Sequence, residues 1–296
     1  MKPSSPDKFF PFHLLLFSQF FASMIHSAVT ISLVPEARGG PFVFWDDLAT
    51  GCARAAAHGF DAVEIFPRTT EDLNARQLKQ LLKQHKLKLA AMGTGAGWVV
   101  HKLRLTDPDA QIRGQARNFI ASVIDFAGGF GAPAIVGSMQ GRSEGTVLRE
   151  QAFNWLREAL EQLGPRAHAH GVPLLFEPLN RYETNLVKSV ADGLELLKPL
   201  RTKSVKLLVD LFHANIEETN IADSLRLAGC DLGHVHFADS NRQAVGLGHT
   251  DYSPIADALR EIGFSGYASA EILPLPDSET AAQQTMESFR MHFRPD

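Results

Sequence analysis

The feature that most constrains the fold of this chain is an alternation of two kinds of segment, which repeats eight times from about residue 28 onward. Short runs rich in β-branched and apolar residues are each followed by a longer run with apolar residues at helical spacing. Strands that alternate with helices form right-handed βαβ crossovers and therefore a parallel sheet. Several of the short runs are apolar throughout, as expected for strands that are covered on both faces.

Eight strand–helix units within residues 28–296 fit a closed (β/α)8 barrel better than an open sheet. We therefore predict a single α/β domain, a TIM barrel, with its active site at the C-terminal ends of the strands. The predicted strands are Ala28–Pro35, Asp61–Phe66, Leu87–Gly93, Ala132–Ser138, Val172–Glu177, Val205–Asp210, Leu232–Ala238 and Tyr267–Ile272. The predicted helices are Trp45–His58, Leu73–His85, Pro108–Phe130, Glu144–His170, Ser189–Leu200, Asn220–Ala228, Pro254–Ile262 and Thr280–His292.

The composition is that of a globular protein, with 45% apolar and 21% charged residues. The net charge of −4 argues against nucleic acid or an anionic membrane surface as a partner. The sequence contains no Gly-rich dinucleotide fingerprint after the first strand and no Walker A motif, which weakens a nucleotide-binding interpretation. The two cysteines, Cys52 and Cys230, are far apart and are expected to be reduced in a cytoplasmic protein.

Residues 1–23 do not fit the repeating pattern. Lys2 and Lys8 precede an apolar run from Phe9 to Ala22, which is the order found in signal peptides. Polar residues and a proline interrupt this run, no clear cleavage site follows it, and it is too short to span a bilayer well. We expect a non-structural or weakly signal-like extension ahead of a barrel domain at residues 24–296. Export and a helix that plugs the bottom of the barrel remain alternatives for this segment.

The last four predicted strands end in side chains that commonly bind metals. Glu177, Asp210 and Glu271 stand at the ends of strands five, six and eight, and strand seven carries His234 and His236. Carboxylates at the end of an apolar strand are costly unless they are paired, solvated or bound to a cation. Because strand ends converge at the mouth of a barrel, we expect three carboxylates and one imidazole to hold a divalent metal. His236 is favoured as the ligand because it is nearer the strand end, and His234 is expected to support it from behind.

Motifs in the second half of the chain give this pattern a more specific meaning. They are Phe176-Glu177-Pro178-Leu179-Asn180-Arg181-Tyr182-Glu183, Asp210-Leu211-Phe212-His213, His236 followed six residues later by Arg242, Gly246-Leu247-Gly248-His249, and Ala270-Glu271. Together they resemble the motifs of the xylose isomerase-like sugar isomerases and epimerases. Within that superfamily, the chain is most similar to the ketose 3-epimerases, the D-tagatose and D-psicose 3-epimerase group. The resemblance extends over the barrel from about residue 28 onward.

This resemblance implies roles for individual residues. The implied metal ligands are Glu177, Asp210, His236 and Glu271; Glu177 and Glu271 would also form the catalytic acid/base pair; and Glu183, His213 and Arg242 would bind sugar oxygens near the carbonyl. One divalent ion is implied, with Mn²⁺ first and Mg²⁺, Co²⁺ or Zn²⁺ as alternatives. An oxygen-rich ligand set suits Mn²⁺, Mg²⁺ or Co²⁺, whereas a structural zinc site prefers cysteine and histidine. In the first half, Glu64 and Trp98 would line the pocket, and Gln140 or Arg142 could reach a substrate hydroxyl or phosphate.

The implied activity is that of a divalent-metal-dependent sugar epimerase or isomerase acting on a ketose or a related polyhydroxy ketone. The enzyme would remove the proton α to the carbonyl and pass through an enediolate that the metal stabilises. A hydroxypyruvate isomerase-like aldose–ketose isomerase and a dehydratase of the inosose or dehydroshikimate type remain alternatives, because the same site serves all three outcomes.

Two other classes of protein are less well supported by the residues. A metal-dependent endonuclease on the same barrel would want more metal-binding histidines and a basic groove. A sugar-binding protein without catalysis would not need two opposed carboxylates. The expected partner is therefore a small-molecule sugar, with neither nucleic acid nor a membrane, and the resemblance adds the expectation of a homo-oligomer.

Overall fold

The computed structural model describes residues 24–45 and 47–294. Within them, eight parallel strands close into one barrel in chain order, with the first strand paired to the eighth. The strands are β1 (His26–Ser32), β2 (Ala62–Phe66), β3 (Lys88–Gly93), β4 (Ala134–Val136), β5 (Leu174–Phe176), β6 (Val205–Asp210), β7 (Leu232–His236) and β8 (Tyr267–Ala270). This confirms the predicted (β/α)8 architecture. The extension predicted for residues 1–23 lies outside the described residues.

Helices connect the strands and form the outer layer. They are α1 (Leu48–His58), α2 (Ala75–His85), α3 (Ala96–Val99), α4 (Ala110–Gly128), α5 (Arg149–Ala169), α6 (Val190–Leu197), α7 (Leu211–Glu217), α8 (Ile221–Ala228), α9 (Ser253–Glu261) and α10 (Ser278–Phe293), with short 3₁₀ turns at Pro35–Ala37, Ser138–Gln140 and Gly229–Asp231. The eight predicted helices correspond to all of these except α3 and α7. Those two are too short for an apolar period to show in the sequence, and they follow β3 and β6 at the mouth of the barrel.

Capping side chains set the first residue of several helices. The predicted start of the first helix at Trp45 is wrong by three residues, because the Asp47 side chain accepts hydrogen bonds from Ala49 N and Thr50 N and so begins α1 at Leu48. In the same way, the Asp109 side chain accepts a hydrogen bond from Gln111 N at 2.7 Å, so α4 begins at Ala110 and not at the predicted Pro108. An N-cap carboxylate satisfies backbone N–H groups that otherwise lack a partner.

An apolar layer inside the barrel supports the ends of the strands. The layer is a compact cluster of buried side chains, Ala91, Ile135, Leu175 and Leu208, supplied by four neighbouring strands. Residues two apart on a strand point to the same side. Glu177 follows Leu175 by two positions and Asp210 follows Leu208 by two, so both carboxylates stand above this layer. These two carboxylates therefore have a buried apolar layer beneath them.

Most other buried apolar side chains pack between the barrel and its helices as one large cluster, which includes Cys52. Cys230 lies at the surface, and both cysteines are free thiols. No helix within residues 24–45 and 47–294 is long and apolar enough to cross a bilayer.

Candidate metal centre and active site

Four side chains from the last four strand ends converge at the mouth of the barrel. Asp210 and His236 are the last residues of β6 and β7, and Glu177 and Glu271 directly follow β5 and β8. One oxygen or nitrogen from each of the four lies within 4.8 Å of the corresponding atoms of the others. His236 Nδ1 is 3.4 Å from Glu177 Oε1 and 3.6 Å from both Asp210 Oδ2 and Glu271 Oε2. The structure thus brings together the four residues predicted to bind a metal.

The donor atoms of this cluster have the chemistry and spacing that a divalent ion requires. Within residues 24–45 and 47–294, Glu177 Oε1, Asp210 Oδ2 and His236 Nδ1 are buried without a hydrogen-bond partner. Leaving a buried polar atom unpartnered costs about 1–3 kcal/mol. Bonds of about 2.1 Å to one ion would set neighbouring ligand atoms roughly 3.0–3.4 Å apart. The three distances from His236 Nδ1, 3.4–3.6 Å, are close to that range, and all four donor atoms lie within 4.8 Å of one another, so the residues fit a metal.

Local structure aims each carboxylate at the cluster. Asp210 caps α7 through Oδ1, which accepts from Phe212 N at 2.8 Å and leaves Oδ2 for the cluster. The backbone next to Glu177 is fixed, because Glu177 O accepts from Gln140 Nε2 at 3.1 Å and Glu177 N donates to Val136 O at 3.0 Å. Gln140 is fully buried, so its side chain supports Glu177 rather than facing a substrate.

Arg242 supplies a positive charge beside the cluster. Its Nη2 donates to Glu271 Oε2 at 2.8 Å and is 3.6 Å from Asp210 Oδ2, and its Nη1 donates to Glu183 Oε1 at 3.3 Å. The guanidinium also lies over the Phe212 ring, 4.8 Å from its centroid. Its contacts place this predicted substrate-binding residue between the cluster and the cavity that opens above it.

The loop that carries Arg242 is organised by Asp239, a buried residue that sequence reasoning missed. The Asp239 carboxylate accepts from the backbone N–H groups of Ser240 at 2.7 Å, Gly246 at 2.8 Å and Thr250 at 3.2 Å. Burial would raise the pKa of Asp239, but these hydrogen bonds lower it. Arg242 itself has a φ of 61°, a conformation that a non-glycine residue holds only when its surroundings fix it.

His213 and Glu183, the other two predicted substrate-binding residues, lie next to the cluster. His213 Nε2 is buried without a partner among the described residues, 3.6 Å from Asp210 Oδ2 and 3.9 Å from Glu183 Oε1. Its other ring nitrogen, Nδ1, pairs with Asn180 Nδ2 at 2.7 Å. Because an amide Nδ2 only donates, His213 Nδ1 is the acceptor and Nε2 carries the proton, which points toward the site. The role of Asn180 was also missed, although it belongs to the motif quoted for the resemblance.

Glu64 and His234 form a second layer behind His236. Glu64 Oε1 lies 3.2 Å from His236 Nε2, and Glu64 Oε2 lies 3.0 Å from His234 Nε2. These three residues also form a group that could hold an ion, but their hydrogen bonds already satisfy the atoms concerned. His234 precedes His236 by two positions on β7. Glu64 borders the cavity, as the resemblance implied, and also reaches the two imidazoles.

The pKa values of the charged residues in and beside the cluster are strongly shifted. Burial raises the pKa of Glu271 to about 8, and the charges of Glu177 and Asp210 act in the same direction, although His236 and Arg242 oppose them. Burial would likewise raise the pKa of Asp210, but His213 first, and then His236 and Arg242, hold it well below its usual range. Burial would lower the pKa of Arg242, but Glu271, Asp210 and Glu183 raise it further above its already high value. Several carboxylates in one buried site therefore compete for positive charge, which a divalent ion would supply.

A cavity of about 680 Å³ opens above the cluster. Glu177, His236 and Glu271 line it, and so does a wall of aromatic side chains. Phe42 and Phe66 stack there with ring centroids 4.6 Å apart, and Trp98 is 36% exposed. Arg142 also lines the cavity, with Nη1 donating to Tyr182 O at 3.4 Å.

Comparisons with known proteins agree with this geometry. The profile of the xylose isomerase-like TIM barrel family matches residues 52–292. The chain is 30% identical over 236 residues to an L-ribulose 3-epimerase from Methylomonas sp. strain DH-1, covering 77% of this chain and 81% of the relative. It is 29% identical over 222 residues to a D-psicose 3-epimerase from Ruminiclostridium cellulolyticum, covering 72% and 74%.

A solved structure shows the same fold. The crystal structure of a 3-keto-D-glucoside 4-epimerase from Escherichia coli superimposes with a TM-score of 0.77 at 22% identity, covering 90% of this chain and 99% of that one. The family profile spans most of the barrel, and the residues of the resemblance lie together at its mouth. This chain belongs to the xylose isomerase-like TIM barrel family.

Proposed function

We propose that this protein is a divalent-metal-dependent sugar epimerase that inverts carbon 3 of a ketose or a related polyhydroxy ketone. The observation that carries the proposal is the convergence of Glu177 and Glu271 on one cluster of buried, unpartnered donor atoms below an open cavity. The choice of carbon 3 is supported by the relatives named L-ribulose 3-epimerase and D-psicose 3-epimerase.

Glu177, Asp210, His236 and Glu271 are proposed to hold the metal, which fits the spacing of their donor atoms. When bound, the ion supplies a Lewis acid that makes the proton α to the substrate carbonyl more acidic. Mn²⁺ is the proposed ion, because three carboxylates and one imidazole form an oxygen-rich set.

Glu177 and Glu271 are proposed as the acid/base pair. Each carboxylate has two oxygens, and only one of them points to His236 Nδ1 within 3.6 Å, Oε1 of Glu177 and Oε2 of Glu271. The second oxygen of each is available for proton transfer. One glutamate removes the proton from carbon 3, and the other returns a proton to the opposite face of the same carbon, which inverts it.

Arg242, His213 and Glu183 are proposed to hold the oxygens around the reacting carbon. The Arg242 guanidinium and the N–H of His213 Nε2 are donors that stabilise negative charge as it develops on the substrate oxygen. Glu183 Oε1 accepts from Arg242, and the Glu183 side chain is about 40% exposed, so this carboxylate can also accept from a sugar hydroxyl. These contacts orient the sugar so that carbon 3 lies between the two glutamates.

The remaining features of the proposal concern the whole protein. Residues 24–296 are proposed to be the functional domain, and deletion of residues 1–23 should leave stability and activity unchanged. A homo-oligomer is proposed from the family resemblance, and light scattering coupled to gel filtration tests it. A cytoplasmic location is proposed because both cysteines are free thiols, and fractionation of cells that express the full chain tests it.

Proton exchange in D₂O, followed by NMR, tests the proposed activity. The Mn²⁺-loaded protein is incubated with ketohexoses, ketopentoses, hydroxypyruvate and an inosose, and is removed before measurement. Deuterium at carbon 3 together with the carbon 3 epimer is the expected result. Inversion at carbon 4, an aldehyde product from exchange at carbons 1 and 2, or water loss from the inosose would each replace the proposed reaction with another of the superfamily. Absence of all exchange would contradict the proposal.

A further inference from the structure

Glu64 is a buried carboxylate that the proposed reaction does not use. It lies on β2, across the barrel from β7, and only 4% of it is exposed. Its two oxygens are divided between two imidazoles, Oε1 at 3.2 Å from His236 Nε2 and Oε2 at 3.0 Å from His234 Nε2. A buried carboxylate is stable only when its oxygens accept hydrogen bonds, so both contacts constrain the rings they reach.

The contact with Glu64 decides which nitrogen of His236 faces the cluster of candidate metal ligands. A carboxylate only accepts hydrogen bonds, so the imidazole nitrogen beside it carries the proton. A histidine that binds a metal ion is neutral, and with its proton on Nε2 the lone pair is on Nδ1. That atom is buried, lacks a partner within the described part of the chain, and lies 3.4–3.6 Å from the three cluster carboxylates.

We propose that Glu64 is a positioning residue that holds His236 with the Nδ1 lone pair aimed at the metal. The proposal rests on the proposed function only in requiring that His236 bind the ion. His234 serves Glu64 in turn. Its Nε2 lies 3.0 Å from Glu64 Oε2, so rotation of the carboxylate away from His236 would also break the hydrogen bond to His234.

Glu64→Gln is the direct test, because it keeps the shape of the side chain. The amide has one acceptor oxygen for two imidazoles, and its NH₂ group would face one of the Nε2 atoms as a competing donor. Loss of a partner behind a metal-binding histidine weakens metal binding by about 10–100-fold. We expect Mn²⁺ to bind Glu64→Gln at least 10-fold more weakly than wild type, measured by the electron paramagnetic resonance signal of free Mn²⁺.

His234→Gln is the matched control. It perturbs the same buried group but retains an N–H donor for Glu64 Oε2 and leaves the contact with His236 in place. We expect its Mn²⁺ affinity to stay within threefold of wild type. Near-ultraviolet circular dichroism of the metal-free proteins shows whether each variant is folded. If Glu64→Gln does not fold, Glu64→Asp replaces it, because the shorter side chain withdraws both oxygens from the rings and should weaken binding similarly.

Nitrogen-15 NMR of the histidine rings reports the tautomer, which a purely structural role for Glu64 would not change. In the Zn²⁺-loaded wild-type protein we expect His236 to show a protonated Nε2 and a metal-bound Nδ1, and in Glu64→Gln we expect that pattern to be lost or mixed.

Three results would overturn the proposal. They are wild-type Mn²⁺ affinity in Glu64→Gln, equal losses in Glu64→Gln and His234→Gln, and two ions per wild-type chain with His236 Nε2 bound to one of them. Failure of the wild-type protein to bind Mn²⁺ at all would instead refute the proposed function. The two failures are therefore distinguishable.

Discussion

Gly137 provides a stringent test of the site because it stands where Glu177 needs room. A Cβ atom added at Gly137 would meet Glu177 Oε2 far inside van der Waals contact. The backbone cannot absorb the overlap easily, because Glu177 N donates to Val136 O at 3.0 Å and Glu177 O accepts from Gln140. In Gly137→Ala the carboxylate itself must therefore move, by about 1 Å, to regain an ordinary non-bonded separation.

The expected loss follows from that displacement. A shift of about 1 Å in the reacting geometry costs about 100-fold in rate, which corresponds to about 2.7 kcal/mol of activation free energy. Because Glu177 Oε1 is also 3.4 Å from His236 Nδ1, the same movement should weaken metal binding. We expect Gly137→Ala to lower kcat for epimerisation by about 100-fold at saturating Mn²⁺ and to raise the Mn²⁺ dissociation constant.

Gly114→Ala is the matched control for this substitution. Gly114 lies within α4, where an added Cβ would have only Arg117 Nη2 nearby, at 3.9 Å. Alanine in the middle of a helix is more stable than glycine by roughly 0.5–1 kcal/mol, so the control should be slightly more stable and fully active. If Gly137→Ala keeps kcat within threefold of wild type and binds Mn²⁺ normally, the position of Glu177 does not limit the reaction and its proposed role is wrong.

Three further substitutions test other parts of the structure. Glu271→Gln should abolish turnover in a folded protein, because an amide cannot accept and return the substrate proton; near-normal turnover would remove Glu271 from the acid/base pair. Asp210→Ala should lower the Mn²⁺ content measured by mass spectrometry after dialysis, whereas Asp109→Ala, which removes only the cap of α4, should not; an unchanged metal content in Asp210→Ala would exclude it as a ligand. Asp61→Asn should lower the free energy of unfolding near pH 7 by about 1–2 kcal/mol, because the Asp61 carboxylate accepts from the β1 backbone at 2.8 Å and from Arg294 at 2.5 Å. Burial would raise the pKa of Asp61, but these bonds lower it below 3.8, so its contribution is complete above about pH 4 and is lost as the pH falls through the folded-state pKa. Urea unfolding of wild type and Asp61→Asn should therefore converge at acid pH, and a difference independent of pH would contradict this account.

The barrel was predictable because each strand has a local sequence signal. Apolar runs such as the one that became β6 are bounded by turn residues, and their spacing leaves room for a helix between successive strands. The first residues of the helices were less predictable, since they depend on which side chain caps each helix. Asp47 and Asp109 took that role, and the structure alone shows which backbone N–H groups they reach.

The convergence of Glu177, Asp210, His236 and Glu271 was also predictable, because four consecutive strands each end in a metal-binding type of residue. The contacts of these residues with the side chains that hold them in place could not be predicted. Glu64 reaches His236 across 172 positions of sequence, and that pairing depends on how far each strand is staggered in the closed barrel. The three backbone hydrogen bonds of Asp239 depend on the path of a single irregular loop, for which the sequence has no periodic signal.

The aromatic wall of the cavity and the cluster of candidate metal ligands come from different parts of the chain. Phe42, Phe66 and Trp98 belong to the first three strand–helix units, whereas all four cluster residues belong to the last four. Random mutagenesis confined to the first half of the gene can therefore vary the aromatic wall of the cavity while all four cluster residues are inherited unchanged. The aromatic wall and the four cluster residues can therefore be varied independently of each other.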